Sequence, residues 1–229
     1  MIAQSKQVAA AANSILTFDR AVPHAGVEPL FACVELNGIS MPFRRNAEVY
    51  GEGEPADYVY KVITGAVRTY KILGDGRRQI IGFYLPGDAF GLETDDEHSG
   101  SAEAISDSQL LLVRRATLFK VAERDASVAK SLWSLASTEM RRSQQHALLL
   151  IKSAQERLAS FILDMAKRLS SKNEVDLPMS RQDIADHLGL TIETVSRTFT
   201  QLAESSVIQF LASRRIVLRN RSMLREMNA

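Results

Sequence analysis

Glycine divides this chain into two kinds of text. It recurs at positions 51, 53, 65, 74, 76, 82, 87 and 91, and after Ala116 it is missing until Gly189. Between the early glycines lie short apolar stretches, Tyr58 to Ile63, Ala66 to Leu73, Gln79 to Tyr84 and, further on, Gln109 to Val113. Short strands punctuated by glycine turns predict an antiparallel sandwich or barrel over residues 31–115. Gly74-Asp75-Gly76 is the expected tip of a hairpin, because glycine accepts the positive backbone angles of tight turns. The first 30 residues, rich in Ala and polar side chains and interrupted by Pro23 and Pro29, read as a lead-in.

Past residue 116 the period changes from two to between three and four. Leu132, Ala136, Met140, Ser143, Ala147, Ile151, Ala154 and Leu158 fall on one helical stripe. Trp133, Leu135, Leu148 and Leu149 widen it beyond a single seam, so the helix of residues 116–152 is expected to pack on its own domain and on a second copy of the chain. Leu132, Ala136, Met140, Ser143, Ala147, Ile151 and Ala154 are the expected homodimer contacts. Residues 153–229 then form a second helical domain, and the whole chain reads as α+β.

Net charge conceals the function. Lys and Arg number 28 against 27 Asp and Glu, a sum of +1. Split at residue 151, the C-terminal part carries 12 basic and 9 acidic groups (+3) and the N-terminal part 16 and 18 (−2). Arg214, Arg215, Arg219, Arg221 and Arg225 lie within a dozen positions. The single cysteine, Cys33, excludes an internal disulfide and cannot by itself ligate an iron-sulfur cluster. With no secretion signal and no run of 18 apolar residues, a soluble cytoplasmic protein with no membrane association is expected.

The segment Met179 to Leu202 carries the function. Ser180 is a helix cap with Asp183 three positions on, and Ile184, Ala185 and Leu188 share a face. Gly189 stops the helix, Thr191 caps a second one, and Ile192, Val195, Phe199 and Leu202 form that helix's inner face. This is a helix-turn-helix pattern, whose second helix enters the major groove of double-stranded DNA. Glu193, Thr194, Ser196 and Arg197 are the expected base readers; the Arg197 fork matches guanine, and Glu193 suits cytosine or orients the arginine. Glu193 and Arg197, four apart, also suit a plain surface ion pair. Ser180, Thr191, Arg181, Arg214 and Arg215 are the expected backbone contacts, the last two on a wing made of Val207 to Leu211 and Arg215 to Leu218.

The order of β-rich domain, long helix and winged helix-turn-helix resembles the CRP/FNR superfamily of bacterial transcription regulators. Asp183 to Arg197 is similar to the FixK and FNR branch in particular. The resemblance implies a β-roll like the cyclic-nucleotide-binding jelly roll, a dimerisation helix, activation through RNA polymerase, and TTGA-type palindromes read by Glu193, Ser196 and Arg197. It also implies a role in microoxic, nitrogen-fixation or denitrification control. Cyclic-nucleotide binders of the family need a phosphate-binding arginine; here Gly91-Leu-Glu93 is followed by Asp95, Asp96 and Glu97, which read as a solvated loop, so cyclic AMP is not expected. Cys33 alone cannot build the FNR cluster, and His24, His98, His146 and His187 read as ordinary surface or helix histidines, so no cofactor is expected. Some FixK-like relatives carry cysteine where this chain has Ser180, at which thiol chemistry is therefore impossible. Two further readings are a regulator gated by a small ligand in the β-roll and, more remotely, a cupin-like metalloenzyme.

Overall fold

The computed structural model describes residues 38–169 and 173–227. The 30-residue lead-in with His24, and Cys33 just after it, lie outside them. Eight strands form the N-terminal domain: β1 (Ile39–Phe43), β2 (Glu48–Tyr50), β3 (Tyr58–Thr64), β4 (Val67–Ile72), β5 (Arg78–Tyr84), β6 (Ala89–Phe90), β7 (Ser101–Ala104) and β8 (Ser108–Arg114). They make two antiparallel sheets of order β1-β8-β3-β6 and β2-β7-β4-β5. The sequence pattern locates β3, β4, β5 and β8 and misses the four shorter ones. The β4–β5 hairpin closes where expected, with Gly76 at φ +84°. Tyr50, Tyr60, Val62, Val67, Phe90 and Leu110 fill the space between the sheets.

Two helices follow, α1 (Arg115–Arg124) and α2 (Ala126–Leu149), and then a break. The stripe read as one helix is interrupted: Leu150 ends α2, and α3 (Ala154–Arg168) restarts from Ser153, whose hydroxyl accepts from the Glu156 amide while the Glu156 carboxylate accepts from the Ser153 amide. Such a reciprocal cap satisfies two otherwise orphaned donors and makes the restart stable. Ala154 thus opens a new helix, and Leu158 is buried in the C-terminal core.

The C-terminal domain adds β9 (Glu174–Asp176), α4 (Arg181–Leu188), α5 (Ile192–Glu204), β10 (Ile208–Phe210), β11 (Arg215–Leu218) and α6 (Arg221–Glu226). The wing has three strands, not two, because β9 pairs with β11 opposite β10. One apolar cluster joins the domains, running from Ile80, Phe83, Leu85 and Ile105 of the β-roll to Phe161, Ile162 and Met165 of α3 and to Ile184 and Leu188 of α4. Asp88 adds an ionic tie, meeting Arg142 of α2 at 2.9 Å and Arg168 of α3 at 2.7 Å. Among the described residues no helix is long and apolar enough to cross a membrane.

Candidate nucleic-acid interface

The helix pair is set by its caps. The Ser180 hydroxyl accepts from the Asp183 amide at 3.0 Å, and Asp183 Oδ2 accepts from the Ser180 amide at 3.0 Å and from its hydroxyl at 2.8 Å. Gly189 ends α4 in the left-handed conformation, φ 62° and ψ 41°, where any other residue would be strained. A Cβ there would also lie 3.4 Å from Leu150 Cδ2. Arg157 locks the turn, donating to the Leu188 carbonyl at 2.8 Å and the Lys152 carbonyl at 2.8 Å. The Thr191 hydroxyl accepts from the Thr194 amide at 3.2 Å and starts α5.

Val195, Thr198, Phe199 and Leu202 bury the inner face of α5, while Ile192, expected there too, is 37% exposed at the helix start. On the outer face Glu193, Ser196 and Arg197 are exposed together, and Thr194 is half-buried beside Thr191. Glu193 and Arg197 form no ion pair, and Arg197 has no partner among the described residues. A hydrogen bond from its own backbone amide, and then the Thr191 hydroxyl, hold the Glu193 carboxyl below the usual carboxylate range. Both groups face solvent on the first two turns of α5, Glu193 held by those bonds and Arg197 by none among the described residues.

The expected backbone contacts are less uniform. Ser180 and Thr191 are committed to caps. Arg181 lies flat on Phe199, 3.4 Å from the ring centroid, and donates to the Ser213 carbonyl; burial pulls its pKa down to about 10. Arg214 donates to the Pro178 carbonyl at 3.0 Å, and Arg215 is engaged by Glu174. Ser180, Arg181, Ser213 and Arg214 line a cavity of about 270 Å³ between α4 and the wing, which draws three of the expected side chains together.

Along α2 the expected dimer residues separate into two groups. Ala136, Met140, Ser143 and Ala147 are exposed, with Trp133 (77%) and Leu148 (62%) beside them, and Ile151 (82%) follows at the break. Leu132 instead packs against the buried cluster of Val59, Leu111, Leu118 and Leu135 within its own domain, and Ala154 is half-buried at the start of α3. In the β-roll, Asp95, Asp96 and Glu97 are exposed as expected. Glu93 faces inward, 3.5 Å from His98 Nδ1. Burial works to raise the Glu93 carboxyl, but His98 and Arg115 outweigh it and keep it low.

Of the described histidines, His146 and His187 lie on helices, as the expectation of surface or helix histidines allows, and His98 departs from it. His98 is buried and stacked on Tyr50 at 3.5 Å. His146 and His187 stack at 4.2 Å where α2, α4 and β5 meet. The sequence reading also missed Arg68 and Arg78, both of which reach Asp183 from the β-roll. Nothing local marks that pairing, since more than a hundred residues separate the partners.

Comparison with known proteins agrees with this layout. Residues 156–227 match the Crp-like helix-turn-helix domain and residues 40–125 the cyclic nucleotide-binding domain. The chain is 51% identical over 198 residues to the nitrogen fixation regulation protein FixK of Azorhizobium caulinodans, covering 84% of this chain and 80% of that one. It is 39% identical to the transcriptional activatory protein AadR of Rhodopseudomonas palustris, covering 82% and 85%. The solved structure of FixK2 from Bradyrhizobium japonicum is 50% identical and superposes with a TM-score of 0.81 over 84% of this chain and 98% of that one.

Proposed function

The chain belongs to the CRP/FNR family of transcription regulators, with FixK proteins among its relatives, and from that membership we propose that it is a dimeric activator reading palindromic, TTGA-like half-sites through Glu193, Thr194, Ser196 and Arg197. The observation that carries this reading is the outer face of α5, where Glu193, Ser196 and Arg197 are exposed and Arg197 has no partner among the described residues. A charged fork left without an internal partner is available to guanine O6 and N7. Ser180, Thr191, Arg181, Arg214 and Arg215 line the route of the phosphate backbone beside it.

The exposed apolar face of α2, from Trp133 through Ala136, Met140 and Ala147 to Leu148, supports pairing with a second copy, since contiguous apolar surface of this kind marks an interaction site. Two reading helices related by a two-fold axis then meet half-sites about one helical turn apart. Activation requires contact with RNA polymerase, and the site of action is the cytoplasm, where bacterial DNA lies. The names of the FixK relatives support a role in nitrogen-fixation or low-oxygen control. We read the chain as a regulator with no catalytic activity of its own.

Selection of bound duplexes from random DNA by the purified chain, at low and high oxygen, tests the reading. A palindrome with TTGA-like halves is expected; enrichment of unrelated or non-palindromic sequences would count against it. Met140→Asp combined with Leu148→Asp is expected to yield monomers in sedimentation and to abolish preference for the palindrome over a half-site.

A further inference from the structure

The two domains meet through a polar contact that no feature of the reading face requires. Arg68 on β4 and Arg78 on β5 sit on neighbouring strands and both point into the first helix of the reading pair. Arg68 Nη1 lies 2.7 Å from Asp183 Oδ1, and its Nη2 lies 2.7 Å from Glu103 on β7. Arg78 Nη2 lies 2.8 Å from the same Asp183 oxygen, and its Nε donates to Asp186 Oδ2 at 2.8 Å. The Asp183 side chain is 5% exposed and that of Arg68 11%. Beside them, Gln79 Nε2 donates to the His187 carbonyl and His187 Nδ1 meets the Ile80 carbonyl at 3.1 Å.

The division of labour within Asp183 matters. Its Oδ2 belongs to the cap that begins α4, and its Oδ1 belongs to the β-roll. Apolar contact between domains is non-directional, whereas a planar guanidinium fork spanning two carboxylates admits few orientations. Domains joined by a short break pivot unless directional contacts hold them; Asp88 ties the β-roll to α3, and the two arginines tie it to α4 itself.

We propose that Arg68 and Arg78 are positioning residues for DNA reading: through Asp183 and Asp186 the β-roll braces the helix pair in one orientation and so sets the spacing between the two reading helices of a dimer. This rests on the dimeric reading above. One base pair more or less between half-sites moves and rotates one site relative to the other, so a braced dimer discriminates spacing and an unbraced one tolerates it.

The test uses the purified full chain and fluorescent duplexes carrying the selected palindrome, the same palindrome with its centre lengthened or shortened by one base pair, and a single half-site. The wild-type chain is expected to lose affinity about tenfold on either altered spacing. In Arg78→Ala that loss should shrink to about threefold or less while half-site affinity stays the same. Asp186→Ala should behave likewise, the double variant no worse than either single one, and Arg78→Lys should fall between because it keeps charge and loses the fork. An unchanged spacing penalty in Arg78→Ala and Asp186→Ala would overturn the brace alone. A wild-type chain that binds the palindrome no better than the half-site would overturn the dimeric reading and the brace with it.

Discussion

The helix pair uses arginine in opposite ways on its two sides. Toward the β-roll, Arg68 and Arg78 are matched by Asp183, Asp186 and Glu103, with every carboxylate less than a fifth exposed. Toward solvent, Arg197 extends from α5 without a partner among the described residues. A charge satisfied inside the molecule fixes its shape, because removing one member leaves the other buried and uncompensated. An unsatisfied, solvated charge contributes little to shape and remains available to a second molecule. Stability and recognition are therefore assigned to different arginines, and substitutions can pull the two apart.

Replacing Arg68 should have the largest effect. Arg68→Ala strands Asp183 and Glu103 at a junction and is expected to destabilise folding by about 3 to 5 kcal/mol in urea denaturation. If it proved as mild as a surface change, the junction would not be a fixed contact. Arg197→Ala should do the reverse, leaving stability within about 0.5 kcal/mol while weakening binding by roughly 1 to 3 kcal/mol per half-site and relaxing base preference. Competition with half-site mutants measures this, and retained discrimination would remove Arg197 from the readers.

Acid should loosen the junction next. Burial first, then neighbouring His146 and Arg168, hold His187 at about 3 against an ordinary 6.5, while its bond to the Ile80 carbonyl works the other way. Between those values the unfolded chain binds a proton that the folded chain does not. The contribution is thus complete above pH 6.5 and declines as pH falls toward 3, by about 1.4 kcal/mol per unit. From pH 6.5 to 5, a loss of about 2 kcal/mol is expected in denaturation curves, and His187→Gln should remove that component. The smallest change is Ser180→Ala, expected to cost about 1 kcal/mol through the lost cap, with base preference unaltered in the same competition assay.

The helix-turn-helix was readable in the sequence because its signals are local. Ser180, Asp183, Gly189 and Thr191 each specify a cap or stop within a few residues of themselves. Long β-roll strands were readable for the same reason. The missed strands are held by distant partners: Ser101–Ala104 contains no β-branched residue and owes its state to β2 and β4, and Ala89–Phe90 is two residues long. The break before α3 is marked by Ser153-Ala-Gln-Glu156, a capping box that the apolar stripe runs across and so conceals. Arg68 with Asp183 was not readable, since an ion pair between residues 115 positions apart leaves no periodic trace.

Asp183 also limits how such a protein can diversify. A carboxylate with one oxygen in the helix cap and the other on the neighbouring domain cannot be exchanged without disturbing both. Even asparagine keeps a cap acceptor only by surrendering charge toward the arginines. Descendants that acquire a different geometry between domains must therefore change first on the β-roll side, at position 68 or 78, while position 183 stays fixed by its double duty.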